Sequence, residues 1–172
     1  PYTWTFTTKA APAACPCSVF SPSSTPATVN TNDRKAVEVG MKFRSDVAGT
    51  VTGVRFFKGS SNTGTHVGHL WTASGALLAS VTFTGETASG WQQALFSSPV
   101  PISANTTYVV SYSAPAGSYS STRDYFSGNS ADNAPLHGLA SGVDGANGVY
   151  RYGSNVFPND SFRSTNYWVD VV

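Results

Sequence analysis

Tyrosines outside the regular strand patterns carry the most suggestive chemistry in this chain of 172 residues. Tyr119, Tyr125, Tyr150 and Tyr152 lie in or beside polar segments with little apolar alternation. A tyrosine ring has an apolar face, which stacks on the C–H face of a sugar, and a hydroxyl that hydrogen-bonds. We therefore predict that these rings contact a ligand. The alternative is that they cover the ends of the fold.

Several polar side chains and one tryptophan extend this candidate site. Arg123, Asn129 and Arg151 lie close to the tyrosines in sequence and have the groups that hydrogen-bond sugar hydroxyls. Trp71 ends an apolar stretch and is either a core residue or a stacking platform. Together these residues predict a concave site of aromatic rings with a few polar groups, the usual form of a small-ligand site.

Composition favours the same ligand class. Aromatic residues make up 13% of the chain and charged residues 11%, whereas soluble proteins usually hold about 25% charge. A chain with more aromatic residues than its core needs can place some of them on its surface, where they suit flat, uncharged, hydroxylated ligands. Sugars are the leading example of such ligands.

Three acidic residues form a candidate calcium site. Calcium binds carboxylate and carbonyl oxygens. Asp33 comes just before the first strong strand and Asp170 lies in the last one. If those strands are neighbours, the two acids meet at one edge, with Glu38 as a third ligand. The segment 144–147 is a second candidate. The alternative is turn chemistry, because Asp and Asn hydrogen-bond their own backbone.

Catalytic signatures are weak. A glycosidase needs two carboxylates across a cleft, and no such pair is evident in the sequence. No nucleophile-elbow motif is present. His66 and His69 are three apart, so on a strand they point to opposite faces rather than to one metal ion. The chain is predicted not to be an enzyme.

The two cysteines, Cys15 and Cys17, are separated by one proline. A disulfide between them closes a very small ring. Either they are reduced thiols beside a loop, or they are bridged in an oxidising compartment.

Charge and hydropathy exclude two classes of partner. The net charge is +1, and the ten Lys and Arg residues are scattered, whereas nucleic-acid binding needs a basic stripe. No run approaches the roughly 18 apolar residues of a membrane span. We therefore expect neither nucleic acid nor a membrane span.

Alternating apolar and polar residues predict an all-β fold with almost no helix. Strands at regular spacing with turn signals between them favour an antiparallel two-sheet β-sandwich, either jelly-roll or immunoglobulin-like. The predicted strands cover 37–43, 50–58, 67–72, 77–83, 91–96, 108–112, 148–153 and 166–172. The segments 18–32 and 114–147 are predicted to be mainly loop.

The N-terminal segment is predicted to be separate from this fold. Tyr2, Trp4 and Phe6 alternate with threonines, and a linker composition follows. The segment resembles the closing strand of a bacterial immunoglobulin-like repeat. Residues 1–10 are thus assigned to the end of such a repeat plus a linker, and residues 15–172 to a β-sandwich binding module. The alternative is an ordinary first strand of the sandwich.

An ordered set of motifs resembles a known family. The set comprises VEVGMKF (37–43), GTVTGVRFFK (49–58), TGTHVGHLW (63–71), GWQ (90–92), TYVVSY (107–112), YRYG (150–153), FP (157–158) and NYWVDVV (166–172). It resembles an uncharacterised bacterial extracellular domain family, domain of unknown function 4082. The resemblance implies a secreted β-sandwich that neighbours other domains in one chain, and it supplies no ligand.

We therefore expect a non-catalytic module that binds a polysaccharide or a cell-surface glycan outside the cell. The alternative is a structural spacer or adhesion domain without a ligand of its own.

Overall fold

The computed structural model describes residues 15–172, which form thirteen β-strands and no helix. No helix in this range could therefore cross a membrane. The predicted strand and linker at residues 1–10 lie outside the described residues. The strands are β1 (Thr28–Asn32), β2 (Val37–Ser45), β3 (Gly49–Lys58), β4 (Val67–Thr72), β5 (Leu77–Thr82), β6 (Gly90–Ile102), β7 (Tyr108–Ala114), β8 (Ser118–Ser121), β9 (Ala131–Asn133), β10 (Leu136–Gly138), β11 (Val149–Tyr152), β12 (Asp160–Ser161) and β13 (Val169–Val171).

The strands form three antiparallel sheets. The largest has the order β12-β11-β2-β7-β4-β5, and a short hairpin of β9 and β10 joins it along β2. The second sheet has the order β13-β3-β6, and the third is a two-stranded ribbon of β1 and β8. Strand β2 is long enough to pair with β11 near Val37 and with β10 near Ser45. Its two ends therefore lie beside different parts of the molecule.

Period-two alternation places the core between the two larger sheets, as in a β-sandwich. Val39 and Met41 of β2 and Val54 of β3 are fully buried. Phe56 of β3 stacks on Tyr112 of β7, with ring centroids 4.1 Å apart. The predicted all-β sandwich is confirmed.

One glycine shows how closely the sheets approach. A Cβ added to Gly68 of β4 would lie 2.9 Å from the Cβ of Val54 on the facing strand β3. Carbon atoms in van der Waals contact are about 3.5–4.0 Å apart. Only a residue without a side chain fits here, so the close approach of the two sheets requires Gly68.

A buried ion pair anchors the first described residues to the last strand. Cys15 and Cys17 are joined by a disulfide, and the chain then passes Asp170 of β13. The Asp170 carboxylate accepts hydrogen bonds from the amides of Val19 and Phe20, both at 2.9 Å. The Arg55 guanidinium lies 2.7 Å from the same carboxylate. Asp170 therefore fixes the segment before β1 to the second sheet.

Candidate functional site

A groove of about 380 Å³ opens where the β1–β8 ribbon meets strand β11 of the largest sheet. The segment between β12 and β13 closes its third side. We call it the tyrosine groove. Its lining residues are Thr31, Asp33, Tyr119, Ser121, Arg123, Tyr150, Tyr152, Phe162, Thr165 and Tyr167.

Strand geometry brings the tyrosines together. Tyr150 and Tyr152 are alternate residues of β11, so they project from one face of it. Their register partners on β2 are Val39 and Val37, which are buried in the core. That face therefore continues the inner face of the sandwich from β2 onto β11. Tyr119 reaches the same space from β8.

The rings pack against one another and are held in place. Tyr150 and Tyr152 meet edge to face with centroids 5.7 Å apart, and Tyr119 and Tyr167 do so at 5.5 Å. Tyr150 and Tyr167 link the two pairs at 6.4 Å. Aromatic pairs prefer this geometry. The groove is consequently formed before any ligand enters.

One carboxylate orients two of the hydroxyls. Asp33 Oδ2 accepts hydrogen bonds from the Tyr119 hydroxyl at 2.8 Å and from the Tyr152 hydroxyl at 3.2 Å. Burial, reinforced by Asp33, raises the pKa of Tyr119 well above its usual value. The Tyr119 hydroxyl therefore stays a donor at any physiological pH. Asp33 Oδ1 has no hydrogen-bond partner among residues 15–172.

The groove is closed on one side and open on the other. Tyr119 and Tyr167 are buried, whereas Tyr152 and Phe162 are 51% and 52% exposed. The open side thus presents two aromatic surfaces to solvent above a rigid buried pair. A flat ligand can stack on the open side while its polar groups reach Asp33.

The opening of the groove carries positive charge. Arg123 lines the groove and is exposed. The Lys35 ammonium lies 5.8 Å from the Tyr152 ring centroid, within cation–π range. Both cations are exposed, so a ligand in the groove can reach them.

The third side of the groove is fixed by backbone contacts. The amide of Thr122 donates to the Asn166 carbonyl at 2.9 Å, and the reverse bond has the same length. Gly148, just before β11, has φ +71°, and a Cβ there would clash with the Thr165 carbonyl. The segment carrying Phe162 therefore lies directly against both β8 and β11.

The groove contains four of the eight predicted ligand residues: Tyr119, Tyr150, Tyr152 and Arg123. The other four lie elsewhere, for two kinds of reason.

Two of the predicted aromatic residues pack against other side chains of the domain and do not reach the groove. Tyr125 packs edge-on against Phe20 and Trp168, with centroids 6.1 and 6.0 Å away. Trp71 is 5% exposed, donates its indole N–H to Ser111 Oγ at 2.8 Å, and is covered by Phe157. Neither ring faces the groove, so the platform interpretation of Trp71 is wrong.

The two remaining polar residues point away. Arg151 lies between Tyr150 and Tyr152 on β11, so its side chain projects from the opposite face, where it donates to Asn159 Oδ1 at 3.3 Å. Asn129 lies in an exposed loop and bonds the Ser127 carbonyl.

The three acids predicted to bind calcium do not meet. Asp33 lies in the groove and Asp170 pairs with Arg55. Glu38 is buried on the outer face of the largest sheet. The prediction assumed that the last strand neighbours the first, but β13 pairs with β3 in the other sheet.

Within residues 15–172, no group of three or more His, Cys, Asp or Glu side chains is arranged to hold a metal ion. The second candidate, 144–147, is surrounded by cations: Arg44 pairs with the Asp144 carboxylate at 3.2 Å and Lys42 donates to its carbonyl at 2.6 Å. Neither donor set fits a calcium ion.

Glu38 instead belongs to a buried polar network. Its carboxylate accepts from His69 Nδ1 at 2.8 Å, from the hydroxyls of Ser111 and Ser113, and from the Asn155 amide at 3.2 Å. His66 lies on the core side, against Phe56. The two histidines therefore point to opposite faces, as predicted.

Sequence reasoning missed two aromatic residues of the groove. Phe162 is a single ring in a polar segment, the same signal that identified the tyrosines. Tyr167 alternates within a strand-like run that is typical of core residues, so no local signal separates it from them.

The family model for the Domain of unknown function (DUF4082) matches residues 23–169, and the chain belongs to this family. The match spans every residue that lines the tyrosine groove. No curated protein and no solved structure matches the chain.

Proposed function

We propose that this member of the DUF4082 family is a non-catalytic carbohydrate-binding module that holds a polysaccharide or cell-surface glycan in the tyrosine groove. One observation carries the proposal: four tyrosines converge with one carboxylate and one guanidinium on a single preformed groove. Aromatic faces with a few polar groups are the general form of a small-ligand site.

Binding would use two kinds of contact. Sugar C–H faces would stack on Tyr152 and Phe162 at the open side. Sugar hydroxyls would donate to Asp33 Oδ1 and accept from Arg123. Because the rings already pack against one another, little side-chain ordering is needed, which lowers the entropic cost of binding.

The composition of the groove favours binding over hydrolysis. Glycoside hydrolysis usually needs two carboxylates flanking the scissile bond. Among the lining residues Asp33 is the one acid, and one of its oxygens is engaged by two tyrosine hydroxyls. A single carboxylate, hydrogen-bonded in this way, suits recognition of hydroxyl groups.

The proposed setting is a secreted bacterial protein in which this module accompanies other domains. The Cys15–Cys17 disulfide supports an oxidising compartment, since disulfides are rare in the cytosol. A module that binds a polymer raises the local concentration of its attached domains on that polymer.

Affinity electrophoresis through gels containing different polysaccharides tests the proposal. At least one polymer should retard the protein, and Tyr152→Ala should weaken that retardation. Leu77→Ala on β5 is the matched control, because Leu77 is 52% exposed but lies outside the groove. A protein that no polymer retards would instead be a spacer or adhesion domain without its own ligand.

A further inference from the structure

We infer that the tyrosine groove selects acidic glycans, with Arg123 binding the carboxylate of a uronic acid residue. The inference rests on the proposed function and specifies its ligand class. It follows from how charge is distributed among the groove residues.

Among the described residues Arg123 has no acidic partner, as is also true of Arg34 and Arg151, but it alone of these three lines the groove. Arg44, Arg55 and Arg163 each pair with an aspartate. No salt bridge or side-chain hydrogen bond engages Arg123 within residues 15–172, although it lines a groove that contains an aspartate. Its guanidinium is therefore available to a ligand.

Asp33 is engaged by its own surroundings. Two tyrosine hydroxyls donate to its Oδ2, so part of its charge is balanced by hydrogen bonds that also position the rings. Its remaining oxygen can still accept from a sugar hydroxyl.

A second cation strengthens the positive character of the opening. Lys35 lies over the Tyr152 ring, at 5.8 Å from its centroid. Apart from Asp33, no acid of the described chain lines the groove; Asp160, which lies opposite Tyr150 across the β11–β12 pair, is not among the lining residues. An anionic ligand in the groove therefore meets two exposed cations.

A uronic acid residue matches this arrangement in both of its parts. Its ring has C–H faces that stack on Tyr152 and Phe162. Its carboxylate is planar and fits the fork of a guanidinium through two parallel hydrogen bonds. Sulfate esters lack this planar match, so we expect carboxylated polymers to bind better than sulfated ones.

The test compares uronic acid polymers with the same polymers in which each carboxylate is reduced to a neutral CH₂OH group. Polygalacturonate, alginate and hyaluronan are each compared with their carboxyl-reduced forms by affinity electrophoresis, beside neutral xylan, mannan and glucan and a sulfated galactan. We expect at least one uronic acid polymer to bind about tenfold more tightly than its reduced form, a ratio that corresponds to about 1.4 kcal/mol.

Two variants assign the preference to the groove. Arg123→Gln should remove most of the difference between the charged and reduced polymers. Arg151→Gln is the matched control, because it removes the same charge from the opposite face of β11 and should leave the difference intact. Thermal unfolding of both variants verifies that they are folded.

The outcomes separate the inference from the proposed function. Equal binding of charged and reduced polymers, or a preference for the sulfated galactan, would overturn the inference and leave a glycan-binding module. Equal weakening by both arginine variants would also overturn it, because the attraction would then be general charge. If neither charged nor neutral polymers bind, both the inference and the proposed function fail.

Discussion

Trp71 and Tyr152 belong to two aromatic regions on opposite sides of one sheet, and their exposures are 5% and 51%. Trp71 lies on the outer face, where Phe157 packs on it and Asn155 bonds the neighbouring Glu38. Tyr152 lies on the inner face, where the segment around Phe162 lines the groove beside it and leaves its ring half exposed. Both residues are large aromatics on strands, so the difference in exposure comes from the segment that packs beside each of them.

The carboxylates of the two regions differ in the same way. Glu38 accepts four hydrogen bonds from its surroundings and is fully buried. Asp33 accepts two, both on one oxygen. The outer-face network is therefore saturated and serves stability, whereas the groove keeps capacity for a ligand.

The largest expected effect is a loss of stability at Trp71, on the outer face of the largest sheet. Trp71→Ala removes a buried ring and leaves the Ser111 hydroxyl without its indole donor. We expect the free energy of unfolding to fall by about 3–5 kcal/mol, measured by urea denaturation. Glycan affinity of the folded fraction should be unchanged. A large loss of affinity in folded protein would mean that the outer face takes part in binding.

Glu38→Gln should have the next largest effect. The amide keeps one acceptor oxygen but turns an NH₂ group toward donors that the carboxylate had satisfied. We expect a loss of about 2–3 kcal/mol, as for hydrogen bonds to charged groups. Asp33→Asn in the groove is the matched change, and it should cost under about 1 kcal/mol because that site is open to water. Equal costs would contradict the distinction between the two regions.

Tyr152→Ala should have the opposite effect to Trp71→Ala, with a small change in stability and a clear loss of glycan affinity. Because the ring is half exposed, the free energy of unfolding should change by about 0.5 kcal/mol. Glycan affinity should fall by up to about tenfold, as expected when an aromatic contact worth roughly 0.5–1.5 kcal/mol is lost. Unfolding and affinity are measured on the same sample. A large loss of stability with unchanged affinity would assign Tyr152 to the core.

The smallest expected effect is a pH dependence of stability that arises at one end of β2 and leaves the groove at the other end unchanged. At the end away from the groove, His137 lies between Asp132 at 2.6 Å and Asp46 at 2.9 Å. Partial burial lowers the pKa of His137, but the hydrogen bonds to both aspartates outweigh it and raise the pKa above its usual value.

The sign of the dependence follows from linkage. Because the folded state holds the proton more tightly, the stabilisation from His137 is fully present below about pH 6.5. It is lost as the pH rises through the higher folded pKa. His137→Gln should flatten the fall in stability between pH 6.5 and 9. Glycan affinity should stay constant in this range, because burial raises the pKa values of Tyr119, Tyr152 and Tyr167 above the usual tyrosine value. A wild-type stability that does not fall, or falls equally in the variant, would contradict this account.

Local patterns in the sequence predicted the strands that form the core. Strand β4 occupies the predicted residues, and β2 and β3 differ from the prediction by one or two residues at an end. Their alternation is strong because one face of each is buried. Strands β1 and β8 lay in segments predicted as loop. They are polar and short, and they pair with each other across about 90 residues of chain, so no local pattern marks them.

The sequence likewise predicted part of the site, namely four of the eight proposed ligand residues. Isolated tyrosines in polar segments identified Tyr119, Tyr150 and Tyr152. The alternation rule already separates Arg151 from its two tyrosine neighbours on β11. The burial of Trp71 depends on Phe157, and the separation of the three acids depends on strand order. Both are long-range properties that spacing along the chain does not contain.

The most direct test is an NMR titration of isotope-labelled protein with oligomers of a polymer that the gel assay identifies. We expect the amide signals of Ser121, Arg123 and Tyr152 to shift in a saturable way, while the indole N–H signal of Trp71, bonded to Ser111, stays in place. Saturable shifts around Trp71 with an unperturbed groove would contradict this expectation.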